Sequence, residues 1–254
     1  MAVSPDTNRE AEVRTDPRAR RNRSIRDAIS TSLASKLGTA ILQFASLPVA
    51  ARMLGREEFG IYATVSTAIF AVAMLQLGVG PALAKGISEA FSENNRNREA
   101  SYYRNGAVLL GILILIGLGI SSLLLTFVPI TVLFGETYAP WEAEMKSALW
   151  CGVFLMAGQL FAAHTDRVRE GYMEASTVNA SSALGSLLGA IIVAAGIRHF
   201  PSIDFLLFAI FLPNILVRFA NTALLLRKRS YLISHSRKLD GGIMRELIRD
   251  GLSF

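Results

Sequence analysis

The chain has 254 residues, of which 52% are hydrophobic and 18% charged, with a mean hydropathy of +0.40. A soluble domain carries about 25% charged residues; here the charges are fewer and are clustered between long apolar runs, which argues for an integral membrane protein. The runs lack the short alternating segments of an outer-membrane barrel, so helices are expected, and the net charge of +6 reads as membrane topology rather than as nucleic-acid binding.

Residues 1–26 carry seven arginines and almost no apolar side chains. Such a stretch cannot bury enough surface to fold and is expected to be a disordered basic cytoplasmic tail. It either lies on anionic lipid or simply fixes the N-terminus inside. Residues 27–226 then hold six apolar segments. The first runs from about Ala28 to Leu54, with a kink expected at Pro48. A signal peptide is a weaker reading, because the charged region before the apolar core is long and Lys36 interrupts the approach. The corner Gly55-Arg56-Glu57-Glu58 is short and polar, as a turn at a membrane surface should be. The second segment runs from about Glu58 to Ala84 and ends near Pro81.

Lys85 to Arg104 reads as a polar loop. The third segment, from Asn105 to about Phe127, is almost purely aliphatic and carries Gly111, Gly117 and Gly119. It faces lipid or packs closely through those glycines. The aromatics Phe134, Tyr138 and Trp141 suit an interfacial belt in the exit loop. The fourth segment runs from about Lys146 to Thr165, and Asp166 to Glu174 turns the chain. The fifth, from about Ser176 to Ile197, contains Gly185-x-x-x-Gly189, a close-packing spacing. The sixth runs from about Asp204 to Leu226. Residues 227–254 form a cytoplasmic linker that closes on an amphipathic stretch, the expected start of a seventh helix. The single cysteine, Cys151, lies in an apolar run, so no disulfide framework or thiol metal site is expected.

Loop charge sets the orientation. With the N-terminus inside, the inner regions hold twenty basic residues and the outer loops four: Arg52, Arg56, Lys146 and Arg198. The expectation is therefore a six-helix all-α bundle with both ends cytoplasmic.

Polar residues at membrane depth are costly and usually face a bundle interior or a wet cavity. Helical spacing places Lys36 with Gln43 on the first segment and Gln76 on one face of the second. It places Asn179 on the fifth segment, and Arg218 with Asn221 on the sixth. The neutral residues read equally well as helix-packing glue. Lys36 and Arg218 each lie about eight residues, roughly 12 Å, from the inner end of their segments. No acid is expected beside them at that depth. They are either snorkelling cations or a patch that holds an anionic headgroup such as a phosphate or pyrophosphate. Arg52 falls near the opposite face, as an exit contact for a headgroup or as a plain interfacial arginine.

Enzymatic chemistry is not legible. His164, His199 and His235 have no metal-ligand spacing. No Gly-x-Ser-x-Gly, P-loop or Gly-x-Gly-x-x-Gly motif occurs. The aspartates are scattered, and no cofactor is expected.

The nine residues from Leu54 through Gly55-Arg56-Glu57-Glu58-Phe59-Gly60-Ile61 to Tyr62 resemble the corner after the first helix in polysaccharide-export flippases. These belong to the MATE-like superfamily of multidrug, oligosaccharide-lipid and polysaccharide exporters. Leu77-Gly78-Val79-Gly80-Pro81-Ala82-Leu83, followed by Lys85, resembles the end of their second helix. The resemblance implies one lobe of a two-lobe transporter, and an inner-membrane flippase for a polyprenyl-diphosphate-linked oligosaccharide in surface polysaccharide biosynthesis. It also implies a missing second wall, either on another chain or in a C-terminal half. Two other functions stay open: a non-transporting membrane interaction subunit, and a multidrug or organic-ion exporter on the same scaffold. The latter would want intramembrane acids. Besides the lipid-linked sugar, the expected partners are membrane lipids, without nucleic acid.

Overall fold

The computed structural model describes the backbone of residues 17–74, 78–235 and 238–253. It is helical throughout, with no strand among the described residues. α1 spans Pro17–Met74, α2 Val79–Ser92, α3 Arg96–Phe127 and α4 Ile130–Phe134. A 3-10 turn at Glu136–Trp141 leads into α5, Glu142–Gly171. α6 spans Ala175–Gly196, α7 Ile203–Lys228, α8 Tyr231–Ser234 and α9 Gly241–Leu252. Among the described residues, α3, α5, α6 and α7 are long and apolar enough to cross a membrane. These four correspond to the third to sixth expected segments; the first two lie along α1, part of which falls outside the described residues.

α1 begins at Pro17, inside the stretch expected to be disordered. Its backbone stays helical through Pro48 and leaves helical geometry at Gly55, φ 79° and ψ −179°. The break falls at the first residue of the expected polar corner, while Pro48 keeps helical φ/ψ. A membrane helix tolerates the missing proline donor, whereas positive φ costs a glycine nothing. The break separates two limbs with different neighbours. On the first, Gly38 lies against Ala183 of α6; on the second, Val65 and Ile69 lie against Gly152 of α5.

The second segment does not continue to Ala84. α1 is described as far as Met74, and a new helix starts at Val79 after Gly78 in the left-handed conformation at φ 64°. Lys85 to Arg104 is likewise helical rather than a loop. α2 carries a strong apolar stripe, burying Ala82, Leu83, Ile87 and Ala90, and its charged residues occupy the other face. Only Glu93 to Asn95 turn, with Asn94 at φ 53° and the Asn95 side chain capping α3 at Arg98 N. The expected turn from Asp166 shortens in the same way, since α5 runs to Gly171 and Met173, φ 59°, makes the bend. α6 and α7 match the fifth and sixth segments to within two residues at each end.

Two apolar clusters hold the bundle at its two ends. One joins Ala50, Leu54, Ile61 and Val65 of α1 to Met145 and Leu155 of α5, Val193 of α6 and Leu206 and Leu207 of α7. The other joins Leu83 and Ile87 of α2, Tyr102 and Leu109 of α3, Val168 of α5, Leu225 of α7, Leu232 of α8 and Leu247 of α9. In contrast, 11% of the apolar window of α3 is buried, so this helix presents most of its aliphatic surface outward. Gly111, Gly117 and Gly119 would meet nothing within 4 Å on gaining a Cβ; they do not mediate close packing. Gly185 and Gly189 do, since their faces lie against Asn214 and Ala209 of α7.

A polar knot ties the second end together. The hydroxyls of Tyr172 and Tyr231 both donate to Glu99 Oε2, each at 2.6 Å. Arg229 lies over the Tyr172 ring, 3.6 Å from its centroid, and donates to Glu174 Oε1 at 3.2 Å. Arg169 pairs with the same carboxylate. Burial and the neighbouring Glu99 carboxylate push the Tyr172 phenol well above its usual range. Burial also pushes the Glu174 carboxyl up, but the Arg229 hydrogen bond and the charges of Lys228, Arg169 and Arg229 outweigh it and hold the group below the ordinary range. α9 docks beside this knot. Tyr102 donates to Glu246 at 2.8 Å, Lys85 pairs with Asp250 at 3.0 Å, and Asp240 caps the helix through Gly242 N at 2.8 Å. The amphipathic stretch expected to begin a seventh helix is this docked helix.

Candidate functional site

The candidate polar residues fall into two groups. Lys36 and Arg52 are both exposed on the first limb of α1. Arg218 sits on α7 and reaches across to α5. Its Nε lies 3.2 Å from Asp166 Oδ2, and its Nη1 donates to Gln159 Oε1 at 3.1 Å. Thr222, one turn on, donates to the Arg218 carbonyl at 2.9 Å and lies 2.9 Å from the Thr165 hydroxyl. Asn221 is buried, and its carbonyl accepts from Arg169 Nη2 at 3.2 Å. Asn179 on α6 is half-buried. The side chain of Gln43 and the whole of Gln76 lie outside the described residues.

Arg218 therefore has an acid partner, contrary to the sequence expectation. Asp166 falls at the start of the turn expected after Thr165. The helix instead runs on, because Val168 and Gly171 still pack against its neighbours, Gly171 against Ala84 and Ile87. Asp166 is thus carried into the bundle with its side chain 8% exposed, while that of Arg218 is 22% exposed. The signal that could have found the pair was spacing. Gln159 and Asp166 are two helical turns apart, so they share a face of α5.

The α5–α7 seam is thus a neutral ion pair flanked by an amide and two hydroxyls, set in an otherwise apolar bundle. Asp166 Oδ1 and Asn221 Nδ2 are buried without a hydrogen-bond partner among the described residues. A guanidinium has five donors, and Arg218, the more exposed member, is the one that could present donors to an anion. Asn214, also on the expected polar stripe, turns back to its own helix at Ile210 O, 3.2 Å, and lies against Gly185; its role is packing. No group of three or more His, Cys, Asp or Glu among the described residues is placed to hold a metal.

The described residues thus form a bundle of long apolar helices with a charged seam between α5 and α7. Among solved structures, the chain is similar to an outward-facing multidrug-resistance MATE family transporter of the MOP superfamily, with a TM-score of 0.64 and 15% identity. It is also similar to a MOP superfamily transporter from Pyrococcus furiosus, with a TM-score of 0.66 and 19% identity. Both matches cover 89% of this chain, and 52% and 51% of the matched chains. The chain thus spans about half the length of these solved relatives, whose fold it shares. A comparison with curated proteins finds no match. The family model for polysaccharide biosynthesis proteins matches residues 25–254, and the chain belongs to that family.

Proposed function

We propose that this chain forms one lobe of a membrane flippase that moves a polyprenyl-diphosphate-linked oligosaccharide across the bacterial inner membrane. The family supports the polysaccharide pathway, and the fold supports a transport scaffold. The observation that carries the reading is the Arg218 seam. A cation held by Asp166 and Gln159 but still part-exposed is poised to exchange some of its contacts for a phosphate oxygen. Lys36, Arg52 and Asn179, with Gln43 and Gln76, would complete the polar wall, and Asn221 would support it from behind. In this reading the protein is a non-enzymatic transporter. It has six spans, both limbs of α1 crossing the bilayer, and both termini are cytoplasmic. The opposing wall comes from a second lobe, on this protein or on another chain, and the two lobes alternate access around the seam.

Asp166 reopens the organic-cation reading, which lacked an intramembrane acid. That acid is already matched by Arg218 at 3.2 Å, so the seam offers no net negative charge, and the anionic substrate is favoured.

The test is flipping of a fluorescent polyprenyl-diphosphate sugar in proteoliposomes holding the chain with its second lobe. Accessibility of the probe to a membrane-impermeant quencher reports the leaflet. Flipping that depends on Arg218 supports the proposal. A lobe pair that flips no lipid-linked sugar but moves organic cations overturns it.

A further inference from the structure

α5 has two working faces. Gln159 and Asp166 point to α7, while Met156, Leu160 and His164 point to α3 and line a cavity of about 540 Å³. That size lies in the range of about 300–1,000 Å³ that takes a small organic ligand. The cavity is a slot rather than a bowl. Its α3 wall extends from Gly106 to Ser121, about 22 Å at 1.5 Å per residue. The shaft is aliphatic, and Gly117 widens it. Ile116 and Ile120 line it yet are more than half exposed, so its mouth opens on the outward aliphatic face of α3, to lipid rather than to water.

Ser121 lines one end, and the titratable groups lie at the other. Gly80 of α2, His164 and Arg167 meet there. His164 is 6% exposed, and its Nε2 has no hydrogen-bond partner among the described residues. Arg167 Nη1 donates to Glu170 at 2.9 Å. This is the end of the bundle that carries the basic loops, where pockets between helices suit phosphate headgroups.

We infer that this slot is a binding site for a bilayer phospholipid, with one acyl chain in the shaft and the phosphate at His164 and Arg167. The occupant is a bilayer lipid and not the transported carrier, because α5 stands between the slot and the Arg218 seam. A long apolar cleft facing hydrocarbon is filled by chain, and at its end an imidazole N–H of His164 and the Arg167 guanidinium can donate to the phosphate oxygens. The site is independent of the transport reading.

The experiment reconstitutes the full chain in vesicles of phosphatidylethanolamine and phosphatidylglycerol containing a trace of phosphatidylglycerol with a diazirine on one acyl chain. After photolysis, the labelled residues are mapped by mass spectrometry. The expected label concentrates on Leu113, Met156 and Leu160 over the lipid-exposed Leu187 and Ile191 of α6. Gly117→Trp, at a position where an added Cβ meets nothing within 4 Å, should abolish the slot label and leave the α6 label unchanged. Ala157→Phe, which fills the slot from the opposite wall, should do the same, so the result does not rest on one variant folding. Arg167→Gln should weaken retention of the slot label on dilution into unlabelled lipid. Equal labelling of slot and α6, or slot label that survives both filling variants, would mean ordinary annular lipid and overturn the site. Displacement of the slot label by a trace of polyprenyl phosphate would assign the slot to the carrier and overturn the choice of occupant. A failure of sugar flipping would leave this labelling pattern unchanged.

Discussion

The Arg218–Asp166 pair allows its structural and functional roles to be separated by a cycle of three variants. Removing one partner of a buried pair costs about 3–5 kcal/mol, mostly because the other charge is left without a counter-ion. Asp166 is buried but the Arg218 side chain is 22% exposed, so solvent softens the penalty and about 2–3 kcal/mol is expected for Asp166→Asn. At roughly 2–4 °C per kcal/mol for a chain of this size, its melting temperature in detergent should fall by about 4–12 °C. Arg218→Gln should fall into the same range. The double variant keeps two amides of similar shape in place of two charges, so most of the loss should return, with a coupling of about 1–3 kcal/mol. Export then discriminates. If Arg218 supplies donors to a diphosphate, the double variant is stable and inactive. Recovery of lipid-linked sugar export along with stability would reduce the pair to a structural one and remove Arg218 from the site. Single variants that melt with the wild type would refute the energetic reasoning itself.

Three further outcomes follow from the packing. Gly78→Ala puts a side chain at φ 64°, a cost of about 1–2 kcal/mol, and into the Gly251 carbonyl; hydrogen exchange should quicken across α9, at Leu247 above all, without comparable change in α5 to α7. Gly185→Leu drives a side chain into Asn214, whose Cα would be 2.8 Å from the new Cβ, and should cost about 1–3 kcal/mol or more, whereas Gly117→Leu should leave the melting temperature within about 1 °C because no protein atom lies within 4 Å of the new Cβ. Glu174 is held below its ordinary value of 4.5, so its contribution is present above that pH and is lost as the pH falls through the lower folded value; acid melting curves should therefore decline from about pH 4.5 downward in the wild type and flatten in Glu174→Gln, and a decline of equal slope in the variant would exclude Glu174 as the source.

The parts of the fold legible in the sequence are those where apolar length alone decides. α6 and α7 end where hydrophobicity ends, at Gly196 and at Arg227-Lys228. The misses occur where a helix carries charge on one face. The loop expected from Lys85 misses the second half of α2, because ISEAFSENN is polar on average although Ile87 and Ala90 continue the helical spacing of Leu83 and are buried. The same error hid Asp166. A charged residue after a long apolar run was taken to mark the membrane surface, but tertiary packing of Val168 and Gly171 extends the helix and draws the acid inward. The corner at Gly55 is legible because glycine takes φ 79° without strain and Arg56-Glu57-Glu58 follow it, whereas Pro48 stays within helical φ/ψ. Of the polar stripe, Arg218 is legible as a cation at membrane depth, while its partner and the packing role of Asn214 depend on which faces of α5, α6 and α7 meet.

α5 gives these features a common physical origin. Its face of Gln159 and Asp166 must meet polar groups, and Arg218 with Thr222 supplies them from α7. Its opposite face meets α3, which is held close only near the polar knot, where Gly106 lies against Leu83 and His164. Toward its other end α3 carries glycines that touch nothing, so the two helices leave a slot that hydrocarbon can fill. The seam is fixed by directional contacts and the slot by the lack of them. A ligand at Arg218 must therefore displace or share hydrogen bonds already made, which favours a multidentate anion over a neutral sugar. A chain in the slot displaces only loosely packed lipid, so it gains mainly dispersion contacts. The two sites differ in what they can select: charge and geometry at the seam, chain length and width in the slot.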